Sequence, residues 1–135
     1  MDKKDLATMN LVSVAQVGDA VYAAELRTHL LRQEPYLKPN DLHRAYSWFE
    51  SARFQAQVLS ELIDESFFDE EEIALLKRAR NQTTQTKAKN ATKKEYRYAT
   101  ALEAIIGSLT LEARDARLDM LMSRILEKCG EGNGK

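Results

Sequence analysis

Ala99-Thr100-Ala101-Leu102-Glu103-Ala104-Ile105-Ile106-Gly107 is a run of small and apolar residues interrupted by one acid, and it reads as helix. Gln16-Val17-Gly18-Asp19-Ala20-Val21-Tyr22 has the same character, again with a single acid. A carboxylate on a mostly buried helix face is costly unless a cation compensates it. Two such residues, far apart in the chain, are explained by convergence on a shared metal ion. In a helix Asp19 shares its face with Ala15, Gln16, Tyr22 and Ala23, and Glu103 with Ala99, Thr100, Ile106 and Gly107. Most of these neighbours are small, which lets two helix backbones approach closely. Gly18 and Gly107 each cost a helix about 1 kcal/mol relative to Ala, so both predict a packing reason. Oxygen donors with no His or Cys beside them point to Mg²⁺, with Mn²⁺ as a substitute, rather than zinc. An isolated acid on an amphipathic helix ordinarily faces solvent, and spacing alone leaves that simpler reading open.

Around these two stretches the pattern is helical throughout. A long helix is expected from about Met9 to Arg32, ended by Glu34-Pro35 and Lys38-Pro39-Asn40, with Asn40 capping the next helix. Leu42, Tyr46, Phe49, Arg53, Ala56, Leu59 and Ile63 mark a second helical stretch, interrupted near Ser47. Asp69 and Glu72 form a capping box for a third helix, and Thr92 and Glu95 form one for the helix that carries Glu103. The segment from Asn81 to Ala91 has no periodicity and no acid, and reads as a basic loop. A last helix runs from about Asp115 to Lys128, with Gly130 as its stop. No segment alternates as a strand would. The fold class is all-α, and 1–135 is expected to be one domain with its core at about 9–129 and a short tail at 130–135.

Composition agrees with that class: 44% of residues are hydrophobic and 30% charged, with five Gly and two Pro. The single cysteine, Cys129, excludes an internal disulfide and points to a reducing compartment. No signal peptide and no membrane span is visible, so a soluble, cytoplasmic protein with no membrane partner is expected. The net charge of −1 hides a strong asymmetry. Lys77 to Arg97 holds eight basic residues and one acid, so that segment carries +7 and the remainder −8. Such a local field attracts a polyanion even at near-zero total charge.

Together these residues resemble the ribonuclease III catalytic domain. Gly18-Asp19-Ala20-Val21 matches that family's Gly-Asp-Ala-Val core, and Glu103-Ala104-Ile105-Ile106-Gly107 matches its Glu-Ala-x-x-Gly element. The closer likeness is to the short bacterial branch, mini-ribonuclease III, which lacks a separate double-stranded-RNA-binding domain. It extends through Lys38-Pro39-Asn40-Asp41-Leu42-His43-Arg44, Lys77-Arg78-Ala79-Arg80-Asn81, Lys89-Asn90-Ala91 and Tyr96-Arg97-Tyr98-Ala99-Thr100. The longer enzymes carry further acids at positions that are Val12, Ala15 and Thr100 here, a reduced set that the short branch shares. Asp41 is a spare acid that equally suits the first turn of a helix.

The resemblance implies a helical homodimer that uses Mg²⁺ to cut double-stranded RNA, leaving 5′-phosphate and 3′-hydroxyl ends. It further implies a role in maturing large-subunit (23S) ribosomal RNA precursors. Asp19 and Glu103 would be the catalytic metal ligands. Lys77, Arg78, Arg80, Asn81, Thr83, Thr84, Gln85, Thr86, Lys87, Lys89, Asn90 and Arg97 would contact RNA, the cations at phosphates and the polar residues at sugars or base edges. A solvated charged loop is the plainer account of that segment. Two rival readings of the whole chain remain. One is a non-catalytic double-stranded-RNA-binding module, separated by a metal-dependent cleavage assay. The other is a helical adaptor for a protein partner, which predicts no RNA affinity.

Overall fold

The computed structural model describes residues 1–82 and 92–132. Seven helices account for the fold, and no strand occurs among the described residues: α1 (Lys3–Thr8), α2 (Leu11–Gln33), α3 (Pro39–Phe49), α4 (Ala52–Asp64), α5 (Glu70–Gln82), α6 (Lys93–Leu111) and α7 (Asp115–Gly132). The axis of the molecule is α6. From Ala99 to Leu109 every residue except Glu103 is buried. A helix apolar on all sides belongs in the middle of a bundle, and α2, α4, α5 and α7 pack around this one.

The closest of those contacts is between α2 and α6. A Cβ placed on Gly18 would lie 1.7 Å from the Glu103 carbonyl oxygen, and one on Gly107 would lie 2.1 Å from that of Val14. The two backbones touch, and only hydrogen fits between them. Leu11, Val14, Tyr22 and Leu26 then fill the α2 side of the core. The far helix is tied on by charge. Glu72, only 4% exposed, accepts hydrogen bonds from Arg117 Nε and Nη2 at 2.9 and 2.7 Å, while the Arg117 guanidinium also covers the Phe67 ring.

Both expected capping boxes are present. Asp69 and Glu72 exchange bonds of 2.8 and 3.0 Å, and Thr92 and Glu95 exchange bonds of 3.0 and 2.9 Å. Other expectations are corrected. The charged N-terminus forms α1, held by the buried Leu6. The long helix begins at Leu11, with Asn10 accepting from Val12 N–H. Asn40 lies inside α3: Lys38 takes the N-cap and Pro39 the first turn, where its missing N–H costs nothing. The break expected near Ser47 falls at Glu50-Ser51, where the Ser51 hydroxyl accepts from Phe54 N–H. Asn81 and Gln82 extend α5, and Gln82 Oε1 accepts from Leu11 N–H at 2.8 Å, capping a helix 71 positions earlier. Gly130 does not stop α7, because helical geometry costs a glycine only about 1 kcal/mol.

Replacing Gly107 by Ala is expected to destabilise the protein by on the order of 3 kcal/mol, since backbone rather than a movable side chain blocks the new methyl. Urea unfolding checks this. An unchanged midpoint would show that the two helices can part freely.

Candidate active site

The contact at Gly18 and Gly107 sets the geometry of the acids. Asp19 follows the glycine that abuts Glu103's own carbonyl, and its carboxyl group lies close enough to act on that of Glu103. Their burial differs from expectation. Asp19 is exposed rather than set on a buried face, while Glu103 is recessed. α2 lies against α6 through Gly18, and the next position around the helix turns outward.

Burial, then the Asp19 charge, then the hydrogen bond between the two groups, push the Glu103 carboxyl up to about 8. Two carboxylates this close do not both ionise readily at neutral pH without a neighbouring cation. The polar Gln55 side chain nearby opposes the shift. Among the described residues no group of three or more His, Cys, Asp and Glu is placed to hold a metal ion, and the oxygen donors at this point are those of the Asp19–Glu103 pair. It suits a hard cation such as Mg²⁺, which keeps several waters and takes one or two carboxylates plus substrate phosphate.

The surrounding frame is braced. Tyr22 Oη donates to the Phe49 carbonyl at 2.6 Å, and Arg27 makes a two-pronged pair with Glu50 at 2.7 and 2.9 Å while covering the Tyr46 ring. Neither Tyr22 nor Cys129 offers an anion. Burial raises the Tyr22 phenol well above its ordinary value and pushes the Cys129 thiol up to about 12. Asp41 pairs with Arg44 one turn along α3.

The basic residues divide between faces. Lys77 and Arg80 line a recess with Tyr98, and Lys94, Arg53 and Tyr98 line the next one. Arg78 turns the other way and donates to the Ala7 carbonyl at 3.4 Å, tying α5 to α1. Asn81 and Arg97 are exposed on α5 and α6. Gln82, which the sequence reading placed in the basic loop, is engaged in capping α2. Thr83, Thr84, Gln85, Thr86, Lys87, Lys89 and Asn90 lie outside the described residues.

The Ribonuclease III domain family model matches residues 13–114, a span that includes both acids. The Mini-ribonuclease 3 of Staphylococcus aureus is 41% identical over 118 residues, covering 87% of each chain. That of Clostridium tetani is 37% identical over 124 residues, covering 92% of this chain and 81% of its own. A crystal structure of a protein from Fusobacterium nucleatum superposes with a TM-score of 0.80 at 27% identity, covering 92% and 97% of the two chains.

The chain belongs to the ribonuclease III family, in its mini-ribonuclease III branch. It is therefore an endoribonuclease. The positions where the longer family members carry additional acids are filled differently here. Ala15 and Thr100 are buried and Val12 is half-buried, so these sites contribute packing rather than charge.

One residue beside these acids escaped the sequence reading. Gln55 sits at helical spacing from Val58, Leu59 and Leu62, on the face that α4 buries. A polar residue placed in that register was the available signal.

The Glu103 shift has a defined sign. Its folded-state value lies above the ordinary 4.5, so its contribution is most favourable below pH 4.5 and is lost as pH rises toward 8. In metal-free protein Glu103→Gln should therefore gain stability over the wild type between pH 5 and pH 9, by on the order of 1–3 kcal/mol. Thermal melts in chelator check it. A difference that does not vary with pH would contradict the assigned environment.

Proposed function

We propose that this endoribonuclease cuts double-stranded RNA as a homodimer in the cytoplasm, with Asp19 and Glu103 holding Mg²⁺ or Mn²⁺ at each cutting site. Its products would carry 5′-phosphate and 3′-hydroxyl ends, and its substrate would be a large-subunit (23S) ribosomal RNA precursor. The observation carrying this reading is the juxtaposition of an exposed and a recessed carboxyl at the α2–α6 contact. Ribonuclease III enzymes in general depend on a divalent metal and act on duplex RNA. Bound there, the ion would lower the pKa of a coordinated water and offset charge developing on the phosphoryl oxygens.

The chain's own groups divide the remaining work. Asp19, open to solvent, accepts a hydrogen bond from the attacking water and orients it toward phosphorus. Glu103, held in the packed helix, fixes the other ligand position and loses its proton when the site is loaded. The water gives up a proton to solvent as its oxygen bonds to phosphorus, the bond from phosphorus to the 3′-oxygen breaks, and a solvent proton completes the 3′-hydroxyl. Lys77, Arg80, Arg97, Lys87 and Lys89 neutralise phosphates on either side. Asn81, Asn90, Thr83, Thr84, Gln85 and Thr86 supply hydrogen bonds to sugars and base edges in the shallow minor groove. Arg78, committed to α1, is the weakest of the RNA contacts read from the sequence.

Asp19→Asn should reduce cleavage of a ribosomal precursor stem to background while leaving duplex binding and the melting temperature near wild type. Mapping the cut ends in the wild-type reaction tests the product assignment, and full activity in the variant would remove Asp19 from the site. Neutralising Lys87 and Lys89 together should weaken binding and lower the slope of log K against log salt by about 1–2, because fewer counterions are released. A slope equal to that of the wild type would place the phosphate grip elsewhere.

A further inference from the structure

A cavity of about 260 Å³ lies where α1, α5 and α6 meet, with Leu6, Leu75, Ile105 and Leu109 as its apolar floor. Counting around α6 at about 100° per residue, Ile105, Ser108, Leu109 and Glu112 point roughly 120° or more away from Glu103. The cavity therefore opens on the opposite side of that helix from the acid pair.

Ser108 is only 3% exposed and lines this cavity. Its hydroxyl makes no hydrogen bond to any described residue, although Thr110, two positions on, donates to the Ile106 carbonyl. No side-chain polar atom among the described residues is both sealed from solvent and unpaired. The Ser108 hydroxyl thus opens into the cavity, offering one donor and two lone pairs.

Charge at the rim is unbalanced. Lys3, Arg78 and Arg114 line the cavity together with Glu71, Glu72 and Glu112. Lys3 is engaged by Glu71, and Glu72 by Arg117 from outside the cavity. Arg78 and Arg114 make no ion pair with a carboxylate among the described residues, and Arg78 donates at 3.4 Å to the Ala7 carbonyl. Two guanidiniums stand against Glu112 alone, which leaves one positive charge in surplus.

We propose that this cavity binds a small amphipathic carboxylic acid, its hydrocarbon body on the leucine and isoleucine floor and its carboxylate accepting from Arg78, Arg114 and the Ser108 hydroxyl. The volume falls below the roughly 300–1,000 Å³ of pockets that enclose drug-sized ligands, which limits the body to a short chain or one ring. A nucleotide is disfavoured, because the floor would leave the polar groups of its base and ribose unpaired. Guanidinium and carboxylate match fork to fork. The site is independent of the metal reading of Asp19 and Glu103.

The test uses octanoate, with octanol as its uncharged counterpart, followed through the methyl resonances of the whole chain. Octanoate should move the signals of Leu6, Leu75, Ile105 and Leu109 saturably, and octanol should bind about tenfold more weakly. Arg114→Gln is expected to weaken octanoate about two- to fivefold while leaving octanol unchanged. Ser108→Ala should also weaken octanoate without lowering the melting temperature of the unliganded protein, because no internal bond is lost. Unmoved signals at those residues, shifts scattered through the core, or octanol binding as tightly as octanoate each overturn the proposal. So does a destabilised Ser108→Ala, which would show the hydroxyl already satisfied within the fold. Displacement of octanoate by duplex RNA would assign the cavity to the RNA surface instead and overturns it as well.

Discussion

Everything in this molecule is arranged around two glycines that let one helix lie directly on another. With less than van der Waals room for a methyl between Gly18 and Glu103, or between Gly107 and Val14, α2 and α6 are locked in both separation and register. Any larger residue at either position would force the helices apart. The side chains beside the contact inherit that precision, and Asp19 and Glu103 are the ones beside it. A loop could bring two acids together, but it would not hold them at a fixed offset, because loops lack the packing that locks a rotamer.

That closeness creates an electrostatic problem which the fold leaves open. Several other acids are matched: Glu72 with Arg117, Glu50 with Arg27, and Glu65 with Lys128 and Arg124. At the Asp19–Glu103 pair no cation is supplied from within the described residues, and the nearest help is an uncharged amide. Arg27 does feel the Asp19 charge, yet its hydrogen bonds are committed to Glu50. A close acid pair with its charge unmatched is a pattern typical of functional sites, and it is what supports the metal role proposed for Asp19 and Glu103.

How far the sequence could be read depends on the range of each interaction. Asp69 with Glu72 and Thr92 with Glu95 are three residues apart, so their capping boxes are written locally and were legible. The glycines and small neighbours of the two acids carried the helix contact, because few other reasons exist for placing such residues there. Burial of Asp19 was misjudged because helical spacing names a residue's neighbours without saying which side meets the partner helix. Gln82 capping Leu11 joins segments far apart in the chain, and no local pattern encodes such a pair. Arg78 shows the same limit. Charge density placed it with Lys77 and Arg80, but one step along a helix is a turn of about 100°, enough to send it to α1 instead.

The layout of α6 connects cutting to binding. Its capped first turn emerges beside the basic segment, with Lys94 against Tyr98 and Arg97 in solvent, and Glu103 lies farther along the same helix. Arg97 and Glu103 are six positions apart, an axial rise of about 9 Å, and the rod between them is buried on nearly every side. The distance from a proposed phosphate contact to the proposed cutting carboxylate is therefore set by helix geometry and cannot drift with loop motion. Carrying Glu103 and part of the proposed phosphate grip on one central helix fixes the spacing between them, since rotating or sliding that helix would cost its contacts with α2, α4 and α5 together.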